Sequence, residues 1–186
     1  TIPRAISLHL GAATLPLWGE LRFWREPVGG FDFRAAGHFA EQSAYILHCE
    51  PEFMSTESAH LCTFPLCEAP DTLNLSATLV ATREVTLDAL IGWFEADLGA
   101  GSVLGTQPGV RTHWGQMAFP VPRTSVRRGD QIHCRLTLAM DADLRSHYTW
   151  SGQVCRPGHP EGDIHFDRDT RERFGARHTP PSERSL

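Results

Sequence analysis

Leu73-Asn74-Leu75-Ser76-Ala77-Thr78-Leu79-Val80 alternates apolar and polar side chains until its last residue. A period of two puts Leu73, Leu75, Ala77 and Leu79 on one face and Asn74, Ser76 and Thr78 on the other, as in a half-buried strand. A helix would scatter the same four apolar residues around its circumference. The pattern recurs outward from this stretch. Ile6, Leu8 and Leu10 alternate with Ser7 and His9, and Met117–Phe119, Ile132–Leu138 and Tyr148–Val154 read as further strands. Leu90-Ile91-Gly92-Trp93-Phe94 is a continuous apolar run that passes into the alternating Glu95-Ala96-Asp97. Tyr45–Cys49 and His60–Phe64 are short candidates, the latter ended by Pro65, and Leu21–Trp24 reads as a strand before the turn Pro27-Val28-Gly29-Gly30. Arg128-Gly129-Asp130 supplies turn chemistry just ahead of Ile132.

These short strands, separated by turn signals, predict an all-β fold: a distorted barrel or sandwich of short antiparallel strands. The 16 glycines and 13 prolines supply its turns. Ala35–Ser58 is less regular, interrupts the strand series and is expected to form a projecting, partly helical arm. Residues 1–155 read as one domain. From Arg156 the composition turns to Asp, Arg, Glu and His, which predicts an extra strand at Ile164–Phe166 and a polar tail over the rest of 156–186.

With 186 residues the chain can bury a core without disulfides or a structural metal. Its net charge is −5, with 17 basic residues that are all arginine. That balance argues against binding a phosphate backbone, so no nucleic-acid partner is expected. The absence of lysine removes Schiff-base and P-loop lysine chemistry. No apolar run approaches the length of a membrane-spanning helix, and no basic-apolar leader opens the chain, so a soluble, cytoplasmic protein without membrane contact is expected. The five cysteines (Cys49, Cys62, Cys67, Cys134 and Cys155) are odd in number and include no C-x-x-C pair, which reads as free thiols.

Gly99-Ala100-Gly101-Ser102-Val103-Leu104-Gly105 resembles a phosphate cradle, but its spacing is G-x-G-x-x-x-G, and Pro108 and Gly109 stand where a helix must begin. An interstrand loop fits better. Asp163, His165 and Asp167, with His159 nearby, would share one strand face, yet the H-x-H pairing of metal-binding barrels is missing. Glu95/Asp97 and Asp141/Asp143 fall on a strand edge and in a turn, where solvent-facing roles explain them. Thr112-His113-Trp114 is better placed for chemistry. It follows the Gly/Pro loop Gly105–Arg111 and leads into a strand, so a rigid element would hold a titratable ring and a flat aromatic wall at a loop tip. The indole face suits a planar cation such as guanidinium.

Thr112-His113-Trp114, followed by Gln116 and Phe119-Pro120, resembles the "THW loop" of protein arginine methyltransferases. Pro3-Arg4-Ala5 with the strand to Leu10, Phe23-Trp24, Gly30-Phe31-Asp32, Leu90–Asp97 and Val126–Ile132 resemble the same family in the same order, over residues 1 to about 154. Gly115 stands where the family usually has lysine. The resemblance covers only the family's C-terminal β-barrel. It implies that S-adenosylmethionine serves the parent enzyme but is bound by a Rossmann-type methyltransferase domain outside this chain, which is not expected to bind the cofactor or to be active alone. It further implies an arginine-containing protein or peptide substrate and a homodimer formed through the arm at 35–58. His113 would support catalysis from the second layer, and Thr112 and Trp114 would line the acceptor pocket. The competing reading is a non-catalytic barrel for dimerisation or peptide binding.

Overall fold

The computed structural model describes residues 1–15, 19, 23–156 and 159–171. Its strands are β1 (Ala5–Ala13), β2 (Tyr45–Leu47), β3 (Ala59–Pro65), β4 (Thr72–Val80), β5 (Val85–Gly99), β6 (Ser102–Gly105), β7 (Gln116–Val126), β8 (Gln131–Met140), β9 (Ser146–Arg156) and β10 (His159–Asp169). The helix α1 (Arg34–Glu41) lies between β1 and β2. Every strand pairing is antiparallel. One sheet runs β2-β7-β5-β1-β3, with β6 added to the end of β5, and the other runs β10-β9-β8-β4. The fold is therefore all-β, a distorted two-sheet barrel, as the alternation of Leu73–Leu79 predicts.

The faces explain the sequence patterns. Leu79, Ile132, Leu136, Trp150, Val154 and Phe166 of the second sheet meet Leu10, Leu90, Phe119 and Val121 of the first in the main core. On the opposite face of the first sheet a smaller cluster gathers Ala13, Leu15, Cys49, Ile91, Trp93 and Ala118, roofed by Tyr45, Leu47, Phe53 and Met54. Strand β5 is thus covered on both sides, which is why Leu90–Phe94 is apolar without alternation. The β7–β8 turn uses the foreseen residues: Asp130 Oδ2 accepts the Arg127 N–H at 2.9 Å, and Gly129 takes φ 93°.

The segment expected as an arm divides in two. Only 35–41 is α-helical, with a single 3-10 turn at Pro51–Phe53 further on. Residues 45–58 are woven into the first sheet: Tyr45–Leu47 pairs with β7, the Phe53 and Ser55 backbones bond the end of β1, and the Thr56 hydroxyl accepts the Ala12 N–H at 2.9 Å. The described residues that leave the sheet are 23–42 instead. They include exposed Phe23, Trp24, Phe31, Phe33 and Phe39. The strand expected at Leu21–Trp24 is corrected there: Phe23–Arg25 forms a 3-10 turn, with the Phe23 carbonyl accepting the Glu26 N–H and no partner strand among the described residues. Leu21 and Arg22 lie outside the described residues. The strand foreseen at Ile164–Phe166 is longer, spanning His159–Asp169 on the edge beside β9. The tail from 172 onward lies outside the described residues. Among the described residues no helix is long and apolar enough to cross a membrane.

Candidate functional site

The loop between β6 and β7 is held from three sides. At its start Thr106, fully buried, bonds the Phe94 backbone through both its hydroxyl and its amide, which fixes the loop to β5. In its middle the Gly109 N–H donates to the Cys49 carbonyl at 2.9 Å, and the Arg111 guanidinium meets Glu50 at 2.7 Å. Gly109 sits at φ 87°, and a Cβ there would press on the Pro51 ring at 2.8 Å. At its end Gln116 is buried. Its Oε1 accepts the Cys49 N–H at 2.6 Å, and its Nε2 donates to the Thr106 carbonyl at 2.8 Å. One side chain thereby ties the loop's two ends to the strand-like stretch after β2. Such buried amide bonds are costly to leave unmade, so the loop is rigid for a physical reason.

On this frame Thr112 is half-buried while His113 and Trp114 stand exposed, Trp114 with 53% of its surface open. The Trp114 ring meets the rings of Phe94 and His113 edge-on, at 6.1 and 6.2 Å between centroids. The Thr112 hydroxyl oxygen is buried with no hydrogen-bond partner among the described residues. Of the three residues marked by sequence, His113 and Trp114 therefore stand at an open rim, while the Thr112 hydroxyl is covered. Gly115 has φ 64°, and a Cβ there would lie 2.7 Å from the Leu47 carbonyl oxygen. Beside the loop an apolar crevice of about 260 Å³ opens between the sheets, lined among others by Leu8, Phe94, Trp114, Met117, Leu138 and Tyr148. Sequence reading named Gln116 as part of the family resemblance and gave its side chain no role. Its inward position on an apolar face is the signal that marks it as a pin.

The other constellations are structural. Gly99, Ala100 and Gly101 all take positive φ in the tight β5–β6 hairpin. Asp97 accepts the Gly99 N–H at 2.8 Å, and Glu95 lies 3.6 Å from His9. Asp141 shapes its turn by accepting the Asp143 and Arg145 N–H groups, and the His147 ring beside it holds its carboxyl below the usual range. His165 and Asp167 are exposed on β10, and nothing is described for the side chains of His159 and Asp163. Among the described residues no group of three or more His, Cys, Asp or Glu side chains could share a metal ion. None of the five cysteines is in a disulfide, and burial pushes Cys49 up to about 11 and Cys134 up to about 12, away from nucleophilic use.

The sequence model described as "Arginine methyltransferase oligomerization subdomain" matches residues 13–151. The chain is 31% identical over 116 residues to an arginine N(omega)-methyltransferase of Streptomyces achromogenes subsp. streptozoticus. That match takes in 59% of this chain and 32% of the relative, so the chain spans about a third of that protein's length. Among solved structures it is similar to the Trypanosoma brucei PRMT1 enzyme-prozyme heterotetrameric complex with AdoHcy, with a TM-score of 0.77 at 15% identity over 90% of this chain and 57% of that one. It is also similar to Arabidopsis thaliana protein arginine methyltransferase 10, with a TM-score of 0.70 at 14% identity over 90% of this chain and 60% of that one. At these identities the structural likeness speaks for the fold.

Proposed function

This chain belongs to the arginine methyltransferase oligomerization subdomain family, and we propose on that premise that it is the substrate-side barrel of an S-adenosylmethionine-dependent arginine N-methyltransferase. The observation that carries the proposal is the pairing of a pinned loop with an exposed tip: Gln116 and Thr106 are buried and bonded, while His113 and Trp114 face outward.

The chemistry divides naturally. Guanidinium stays protonated at physiological pH, so a nitrogen becomes a useful nucleophile only where carboxylates orient it and take up its charge. The loop tip offers an imidazole and an indole but no carboxylate. Its part is to line and brace. Trp114 presents a flat face to a planar cation, with Phe94 steadying the ring. His113 can hold a carboxylate of a companion domain by a charge-assisted hydrogen bond. S-adenosylmethionine, when bound by that companion domain, supplies an electrophilic methyl group. The AdoHcy in the Trypanosoma complex and the name of the Streptomyces relative support this reading. The exposed rings at 23–39 suit a second copy as partner, giving a homodimer.

The test replaces His113 by alanine in the complete polypeptide that carries this chain. Acceptors should include both free arginine and an arginine-containing peptide, because the Streptomyces relative is named for arginine itself. We expect kcat/KM to fall by about tenfold or more, with Trp114→Ala acting mainly on the acceptor's KM. Unchanged turnover in His113→Ala would leave the barrel as a non-catalytic module for dimerisation or peptide binding.

A further inference from the structure

The excursion described over residues 23–42 is rooted at its C-terminal end by polar contacts, made by the chain's last described strand. Where α1 ends, Gln42 is only 3% exposed, and its Oε1 accepts the Asp169 N–H of β10 at 2.9 Å. Next to it Glu41 meets the Arg168 guanidinium at 3.5 Å, both side chains largely covered. The helix end is further fastened by the Ser43 hydroxyl on the Phe39 carbonyl and the Tyr45 hydroxyl on the Ala40 carbonyl. Strand β10 is itself anchored to the barrel: it pairs with β9, and Thr170 accepts the Tyr148 N–H at 3.0 Å. It lies beyond residues 13–151, the stretch that the family model covers.

We infer that β10 is a buttress that sets the angle of the arm, with Gln42 and Arg168 as positioning residues for self-association. The inference rests on the reading of the exposed rings at 23–39 as a face for a second copy. Two physical points carry it. Asp169 sits on an edge strand, whose unpaired N–H groups need an acceptor when covered, and the Gln42 amide is that acceptor. The lever is also long enough to matter. An eight-residue helix spans about 12 Å, so a tilt of about 20° at Gln42 would move the Phe33 end by about 4 Å. Close-packed aromatic contacts across an interface do not survive a displacement of that size.

The experiment measures the dimer dissociation constant by sedimentation equilibrium in the complete polypeptide, comparing wild type, Gln42→Leu and Gln42→Glu. Leucine keeps the bulk but removes the acceptor, whereas glutamate keeps an acceptor oxygen. Gln42→Leu should weaken the dimer about tenfold or more, and Gln42→Glu should restore it to within about threefold, a pattern that general loss of packing would not produce. A wild-type constant in Gln42→Leu overturns the buttress. If wild type itself is monomeric at high concentration, the self-association reading fails instead, and hydrogen exchange over 34–42 then decides the buttress alone: acceleration in Gln42→Leu sustains it and no change removes it. Should Gln42→Leu not fold, Arg168→Met, which leaves the amide bond intact, takes its place with a smaller expected weakening of about threefold, and no weakening there counts against the buttress.

Discussion

At the scale of single residues, position 115 shows how backbone geometry selects a side chain. The related loops usually follow their tryptophan with lysine, yet here the chain turns through φ 64° and passes the Leu47 carbonyl closely enough that a Cβ would lie 2.7 Å from it. Glycine meets both demands, and a side chain meets neither. Restoring lysine should therefore harm this protein: we expect Gly115→Lys to cost about 1–3 kcal/mol in urea unfolding. Because the strain falls between Trp114 and Gln116, any turnover defect should appear in the same variant. A Gly115→Lys protein as stable as wild type would mean that the loop adapts freely, against the pinning by Gln116.

Among elements, the arm's near root adds a titratable anchor. Asp88, 2% exposed, accepts the Leu15 N–H at 2.9 Å just where the chain leaves β1, and Arg123 stands 3.2 Å from its other oxygen. Burial pushes its carboxyl above the ordinary range, against the pull of the Leu15 N–H and Arg123. A carboxyl whose folded pKa is raised holds its proton more tightly when folded than when unfolded. Its contribution to stability is thus full at low pH and is lost as pH rises from about 4 through the folded value. Asp88→Asn keeps an acceptor for Leu15 and cannot titrate. Relative to this variant, wild type should lose stability between pH 4 and 7 in urea titrations, and a wild type that instead gains on the variant as pH rises would contradict the assignment. How much of this was legible depends on range. Alternation at Leu73–Leu79 and the turn at Arg128–Asp130 are local, so sequence alone located strands and turn. The arm's limits were not local. Residues 45–58 read as irregular because their order comes from partners far along the chain, at Ala12 and β7, and the roots of the arm pair Leu15 with Asp88 and Gln42 with Asp169. The Thr112–Trp114 tip was visible as chemistry, but the bonds that fix it reach Cys49 and Phe94, which no local pattern reveals.

For the molecule as a whole, two tryptophans separate what closes the barrel from what faces outward. Trp150 on β9 is fully buried; its indole N–H donates to the Pro120 carbonyl of β7 at 2.7 Å, and its ring packs against Phe119 at 5.4 Å. That bond joins the two sheets across the main core. Pro120 lies in a strand, and its carbonyl is sealed from water, so removing the donor strands an acceptor as well as opening space. Trp114 has the opposite character, with half its surface open and its N–H in no bond among the described residues. Replacement by phenylalanine should sort them. Trp150→Phe is expected to lower unfolding stability by about 2–4 kcal/mol, from the lost bond and the void together. Trp114→Phe should change it by less than about 0.5 kcal/mol while still altering acceptor binding. Comparable stability losses in the two variants would mean that the rim tryptophan serves the fold, and with it would go the division between a rigid barrel and a loop tip free to meet a substrate.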